Sequence, residues 1–316
     1  MKIITKTLDF RTEKPSVVTL GKFDGIHQGH KKLIDRVLKA GAEENLETVL
    51  FTFDVSPAVS LEHQKAQMLL TCEQRRAYIE SLGLDTMIEC PFVFEVMHME
   101  AEDFIRRILV EQLQAKVLVV GPDFHFGHGR RGNTLMLERL GKECGFRVEV
   151  VDKVMAGVRE ISSTYVREEL KKGNMEKVNA LLGYTYCIEG KIVHGHQVGR
   201  TIGVPTINQI PDIDKLVPPR GVYATRTRID GQEFYGITNI GVKPTVPEKF
   251  VGVETYLFDC NQDLYGKQAE VYLYHFQRPE KRFESLEALK RQLALDEQHG
   301  RKFFAVAFED SKKKVF

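Results

Sequence analysis

Ser16-Val17-Val18-Thr19-Leu20-Gly21-Lys22-Phe23-Asp24-Gly25-Ile26-His27-Gln28-Gly29-His30-Lys31-Lys32-Leu33-Ile34 decides the fold of the first half of the chain. Its left half is a short, apolar, β-branched run ending in glycine. Its right half opens a pattern in which Leu33, Ile34, Val37 and Leu38 recur at helical spacing. The order is strand, tight loop, helix. Such a junction turns backbone N–H groups, and about half a unit of positive charge from the helix dipole, toward whatever occupies the loop, which favours an anion. His27 and His30 stand at that end with Gln28 and Gly29 between them. A residue without a side chain there lets a phosphate chain approach the backbone while both rings donate to its oxygens. No G-x-x-x-x-G-K-[ST] string occurs, so a triphosphate would be cradled without a Walker lysine. Asp24, His27 and His30 could also supply three metal ligands.

Outward from this junction, strand and helix patterns alternate, which implies a Rossmann-like parallel sheet covered on both faces. Strands are expected at Thr48 to Phe53, with Pro57 in the following loop, at Thr86 to Glu89, at Lys116 to Val120 and at Arg147 to Val151. Thr71 and Gln74 have capping-box spacing ahead of a helix from Glu73 to Leu82, which Gly83 should stop. A second helix, Ala101 to Gln114, has Phe104, Ile105, Ile108 and Leu109 on one side, and a third runs from Leu135 to Cys144. At the carboxyl end of the apolar strand Val117 to Val120 comes Gly121-Pro122-Asp123-Phe124-His125-Phe126-Gly127-His128-Gly129-Arg130-Arg131-Gly132. Ligands of open α/β sheets sit at such ends, so this loop should face the histidine loop. Its aromatics, arginines and glycines suit a flat heterocycle carrying a phosphate. Asp123, His125 and His128 can be read as metal ligands as well. In Ile161-Ser162-Ser163-Thr164-Tyr165-Val166-Arg167 a hydroxyl cluster opens the helix Tyr165 to Lys172, a position where such residues commonly act as caps.

Asn174 is expected to cap a short helix that ends near Leu182 and stops at Gly183. Beyond it the pattern changes to short β runs, Ile188 to Val193, Gly221 to Ile229, Glu233 to Ile240, Val253 to Asp259 and Lys267 to Tyr274, separated by turn residues. This is the pattern of an antiparallel barrel or sandwich, here followed by a terminal helix at Leu286 to Leu295 and a solvated lysine tail. The fold class is therefore α/β plus β, with domains at 1–183 and 184–316. Between the first two runs lies Gly199-Arg200-Thr201-Ile202-Gly203-Val204-Pro205-Thr206-Ile207-Asn208. Its glycines free the backbone to fold over phosphates, and Thr206 and Asn208 offer hard oxygens suited to Mg²⁺. Val253, Thr255 and Leu257 alternate with Glu254, Tyr256 and Phe258, so Glu254 should face away from the apolar side.

With 316 residues, 42% of them hydrophobic, the chain can build two cores. A net charge of +1 recruits neither nucleic acid nor an acidic membrane. Cys72, Cys90, Cys144, Cys187 and Cys260 are odd in number and contain no C-x-x-C pair, which argues against a disulfide framework and for the reducing cytoplasm. Met1 to Asp9 lacks a signal-peptide core, and no window approaches eighteen uninterrupted apolar residues.

The Gly21 to His30 string resembles the H-x-G-H signature of the nucleotidyltransferase superfamily. In its G-x-F-D-G-x-H-x-G-H form it resembles the bacterial bifunctional riboflavin kinase/FAD synthetase family. The resemblance implies that His27 and His30 bind ATP phosphates and stabilise adenylyl transfer without a covalent intermediate, with Gly21, Phe23, Asp24, Gly25 and Gly29 around the nucleotide. Gly121 to Gly127 is similar to the family's G-x-D-F-x-F-G loop, which implies that Asp123, Phe124 and Phe126 hold FMN. Ile161 to Arg167 resembles I-S-S-T-x-x-R, which implies Ser163, Thr164 and Arg167 at the outer phosphates. Gly199 to Asn208 resembles the kinase loop G-x-x-x-G-x-P-T-x-N, placing Gly199, Gly203, Thr206 and Asn208 at Mg-ATP. Asn239-Ile240-Gly241-Val242-Lys243-Pro244-Thr245 is similar to N-I-G-x-R-P-T, with lysine for the usual arginine. Glu254 matches the catalytic base of E-x-H-L-x-D, with Tyr256 in place of histidine. Asp263 to Lys267 and Arg278 to Phe283 continue the match, and Arg278 would lie at the flavin. The implied substrates are ATP, riboflavin and FMN, the implied metal is Mg²⁺, and the chain would work as a monomer or weak homo-oligomer on small molecules. Val204, Ile207, Lys243 and Tyr256 depart from the family's usual residues. That leaves two rival readings open: an FMN adenylyltransferase with a degenerate kinase half, and a non-catalytic flavin-binding regulator.

Overall fold

Every residue of Ser16–Leu20 is buried, as a central strand covered on both faces requires. The computed structural model describes residues 1–54, 67–195, 199, 203–242 and 251–313. Pro57, Arg200, Thr201, Ile202, Lys243, Pro244, Thr245 and Lys314 lie outside the described residues. The chain divides into two compact units, Met1–Ser163 and Thr164–Phe316.

The first unit is built on six parallel strands: β1 (Lys2–Thr5), β2 (Ser16–Leu20), β3 (Glu47–Phe53), β4 (Thr86–Cys90), β5 (Ala115–Val120) and β6 (Arg147–Val150). Their order is β1-β4-β3-β2-β5-β6. Thr19 of β2 is in register with Leu50 on one side and Val119 on the other. From β2 the chain winds outward through β3 and β4, then returns to β5 on the other side of β2. The loops after β2 and β5 therefore leave one edge of the sheet side by side and diverge there, at its topological switch point. Phe51 anchors the core from β3, with Phe10, Phe53 and Phe104 edge-on to it at ring distances of 5.7, 5.6 and 5.8 Å.

Helix α1 (Gln28–Glu44) follows β2 directly. The capping box forms as expected ahead of Cys72–Ser81, Thr71 Oγ1 accepting the Gln74 N–H and Gln74 Oε1 accepting the Thr71 N–H, both at 3.2 Å. Ala101 to Gln114 buries the expected Phe104, Ile105, Ile108 and Leu109, but only its first turn, Ala101–Asp103, is α-helical. Phe104–Gln112 has the wider i+5 hydrogen bonding of a π-helix, and Leu113 N–H continues it to the Ile108 carbonyl at 3.0 Å.

The second unit is a barrel, not a sandwich. Strands β7 (Cys187–Val193), β8 (Thr206–Gln209), β9 (Gly221–Ile229), β10 (Gln232–Val242), β11 (Val251–Leu257) and β12 (Gln268–Pro279) close in the order β7-β8-β11-β10-β9-β12, all pairs antiparallel. Strand β8 was not expected, since glycines and Pro205 mark its stretch as a loop; only its last four residues are extended. Inside the barrel, Thr225, Thr238 and Thr255 form a buried hydroxyl ladder with steps of 2.8 Å. The final helix runs to Lys313 rather than ending near Leu295. Beyond Leu295 it is held down by buried Asp296, which Arg278 engages, and by Phe304, which packs on Tyr235 and Tyr274 at 4.6 and 5.5 Å. Asn174 does not cap the helix Met175–Leu182; its amide donates instead to Glu169 Oε2 at 2.9 Å. Gly183 ends that helix in the left-handed conformation, as expected.

Candidate active sites

His27 is the N-cap residue of α1, but its side chain makes no cap hydrogen bond, which leaves the ring available to the loop. It stacks on His30 with ring centroids 3.9 Å apart and planes 21° apart, and Phe23 lies 5.0 Å from His30 on another side. A Cβ on Gly29 would stand 3.1 Å from His27 Cε1 and Nδ1, so glycine gives the ring room to lie back over the helix start. Burial pushes the His27 imidazole down to about 4, and burial followed by the neighbouring His27 holds His30 well below its ordinary 6.5. Neither Nδ1 has a protein partner among the described residues. At neutral pH both rings are therefore uncharged, each with one N–H to donate.

The loop that carries them is braced from below. Phe23 and Ile26 are fully buried and have φ values of 47° and 36°, conformations that cost a non-glycine residue on the order of 1–3 kcal/mol. Asp24 Oδ1 accepts the Leu69 N–H at 2.9 Å, and the Asp24 carbonyl accepts the Ser163 hydroxyl at 2.8 Å. Ser163, the first residue of the helix Ser163–Lys172, thus touches the signature loop. Thr164 is exposed, and Arg167 stands one turn after Ser163 on the same helix, which straddles the division between the units. Sequence reasoning missed the support under Lys22. Its carbonyl accepts the Thr52 hydroxyl at 3.3 Å and Arg75 Nη1 at 3.5 Å, while buried Glu89 takes Arg75 Nη2 at 2.7 Å and Arg76 Nε at 2.8 Å. Nothing local in the sequence signals partners drawn from a helix and two strand ends.

The loop after β5 folds back as a two-residue hairpin, His125–Phe126 against Gly132–Asn133. Phe126 is buried on Phe104, and half-buried Phe124 stacks on Phe126 at 5.6 Å and 15°. Asp123 is exposed and ion-paired with Lys153, a residue outside the expected site. His125 donates to the Asp123 carbonyl at 2.9 Å, and His128 lies 3.5 Å from Glu100. Neither metal alternative assembles. Among the described residues the one group of three such side chains with ligand atoms within 4.8 Å of one another is Cys187, Glu189 and Glu270, and Arg228 and Tyr272 already engage Glu270.

On the barrel, register brings the expected residues into a row. Glu254 of β11 is directly opposite Asn208 of β8 on one side and Asn239 of β10 on the other, and Thr206 is opposite Tyr256 one step along the same face. Val253, Thr255 and Leu257 are buried and point inward, so Glu254 faces outward as the alternation requires. Asn239 opens the segment Asn239 to Thr245, but only the register shows that it adjoins Glu254. The row holds a hydroxyl, two amides and a carboxylate, a set of hard oxygens that suits Mg²⁺ and contains no thiol or imidazole. Thr206 also lines a cavity of about 250 Å³ with Pro205, Leu257, Cys260, Asp263 and Tyr265. Gly199 approaches the backbone closely, and its carbonyl accepts the Val204 N–H at 2.8 Å. Gly203 takes a φ of 81°. Arg278 makes a bidentate pair with Asp296, at 2.8 and 2.6 Å, and also donates to the Pro279 carbonyl.

A FAD synthetase family model matches residues 9–165, and a riboflavin kinase family model matches residues 182–304. A protein of Escherichia coli named bifunctional riboflavin kinase/FMN adenylyltransferase is 37% identical over 292 residues, 92% of this chain and 93% of its own. One of the same name from Listeria monocytogenes is 35% identical over 303 residues, 95% of this chain and 96% of its own. A crystal structure described as a macrolide-efflux protein of Streptococcus pneumoniae is 30% identical, with a TM-score of 0.88 over 95% of this chain and 98% of that one. Among the described residues, no helix is long and apolar enough to cross a membrane.

Proposed function

The chain belongs to the bifunctional riboflavin kinase/FMN adenylyltransferase family, and from that membership and the two sites above we propose that it makes FAD from riboflavin in two ATP-dependent steps. In the first, the ribityl 5′-oxygen of riboflavin attacks the γ-phosphorus of ATP, Glu254 takes the hydroxyl proton, and ADP leaves. Thr206 and Asn208 would hold Mg²⁺, which withdraws charge from the phosphates when bound. In the second, a phosphate oxygen of FMN attacks the α-phosphorus of another ATP, and pyrophosphate leaves. His27 and His30 donate to the phosphates as charge develops, and Ser163, Thr164 and Arg167 hold the outer phosphates. The stacked aromatics Phe124 and Phe126 with Asp123 receive the flavin, and Arg278 serves the flavin of the kinase half. We assign 1–183 to adenylyl transfer and 184–316 to phosphorylation, in a cytoplasmic monomer or weak homo-oligomer.

The observation that carries this reading is that each unit has a site of its own: the paired imidazoles at the start of α1, and Glu254 between Asn208 and Asn239. The kinase departures weigh little against it. Ile207 packs with Ile192, Leu257 and Leu264, and Val204 contributes its backbone, so neither changes the polar row. Tyr256 does stand on that face. Incubation with ATP, Mg²⁺ and either riboflavin or FMN, followed by separation of the flavins, tests the proposal. Both FMN and FAD should form from riboflavin. FAD from FMN alone would mark the kinase half as degenerate, and no product from either would leave a flavin-binding regulator.

A further inference from the structure

Lys153 belongs to none of the motifs, yet its ammonium reaches one of them and the residue that precedes another. It bridges Asp123, in the loop after β5, and Glu160 at 2.7 Å, in the segment that runs straight into Ile161-Ser162-Ser163. Its backbone is tied down on both sides. Before it, Val151 donates to the Val120 carbonyl at 2.9 Å and the Asp152 carbonyl accepts Lys32 Nζ at 2.9 Å from the second turn of α1; after it, the Val154 carbonyl accepts the Ile161 N–H at 2.9 Å. Asp123, by contrast, has a side chain 72% exposed at a loop tip. An acid so placed samples several rotamers, and a cation anchored to the neighbouring strand end removes that freedom before a ligand arrives. We propose that Lys153 is a positioning residue for adenylyl transfer: it holds Asp123 in the orientation that receives the flavin nucleotide and links that loop to the hydroxyl segment. The proposal rests on the reading of the Asp123 loop as the FMN site. Exposed ion pairs contribute little to stability, so an effect of Lys153 on catalysis would not come from unfolding.

Steady-state adenylyl transfer by the full chain, with FMN and ATP varied in turn, tests the role in Lys153→Met, Lys153→Arg, Asp123→Asn and the double variant Asp123→Asn/Lys153→Met. Lys153→Met should raise the KM for FMN roughly ten-fold while kcat and the KM for ATP stay within about two-fold, and Lys153→Arg should recover most of the loss. Asp123→Asn should be impaired in the same constant, and the double variant should be no worse than Asp123→Asn alone. Lys153→Met at the parental KM beside an impaired Asp123→Asn overturns the positioning role and leaves the loop reading intact. Both single variants at the parental KM overturn the loop reading and this inference with it. A double variant showing the product of the two effects means that Lys153 acts apart from Asp123. A Lys153→Met protein that melts early and loses kcat and both KM values together has lost a structural contact, which also overturns the role.

Discussion

His27 shows what burial does to a group that must meet an anion. Its folded form resists protonation down to about pH 4, whereas the unfolded chain takes up a proton near 6.5. Between those values the unfolded state binds more protons, so stability is complete above about 6.5 and declines as acid is added, by on the order of 3 kcal/mol once pH 4 is reached. Melting followed from pH 7.5 to 4.5 should therefore fall less steeply in His27→Gln than in the parent, and equal slopes would place the acid sensitivity elsewhere. Either His27→Ala or His30→Ala should cut FAD formation roughly 10²–10³-fold by removing one donor to the developing charge, with FMN production from riboflavin retained. Glu254 is a half-buried carboxylate on the outer face of a barrel. Glu254→Gln should remain folded, lose roughly 10²–10⁴ in riboflavin phosphorylation and still convert supplied FMN to FAD. Parental FMN production by that variant would remove Glu254 from the role of base.

At the level of elements, the approach of Gly199 to Val204 leaves no room for a side chain. A Cβ on Gly199 would lie 2.3 Å from the Val204 carbonyl oxygen, a backbone atom that cannot swing aside, so Gly199→Ala must open that approach, just before Thr206. The KM for ATP in riboflavin phosphorylation should rise roughly ten-fold or more, and an unchanged value would show that the approach does not shape the nucleotide site. Local signals of this kind were legible in the sequence. The strand-loop-helix of Ser16 to Ile34, the capping box at Thr71 and the inward face Phe104, Ile105, Ile108 and Leu109 all follow from spacing within a few residues. Contacts made across the fold were not legible. The row Asn208, Glu254, Asn239 exists only through strand register, and the Arg75–Glu89 pair beneath Lys22 joins residues whose separation in the chain has no period. Strand β8 was hidden for a different reason, since its flanking glycines and Pro205 are turn residues and only four positions after them are extended.

For the whole molecule, the boundary between the halves can be tested by cutting. Asn179 lies before Gly183, yet its side chain donates to the Leu273 carbonyl of β12 and accepts the Tyr186 N–H, and its helix buries Met175, Val178, Leu181 and Leu182. A fragment Thr164–Phe316 should fold and phosphorylate riboflavin. A fragment Tyr184–Phe316 should melt several degrees lower, because each apolar side chain removed from burial is worth about 1.5–3 kcal/mol. Identical melting of the two would show that the helix is a passenger on the barrel. The other unit carries a consequence of its sheet order that concerns time. Lys2 of β1 pairs with Thr86 of β4, 84 positions later, and among the described residues β1 pairs with no other strand. At about 5–20 residues per second, a ribosome needs roughly 4–17 s to supply that partner. During this interval β1 has no template, while β2 and β3 already have each other. Nascent chains stalled before and after Thr86 should therefore differ sharply in how readily a protease removes the first few residues.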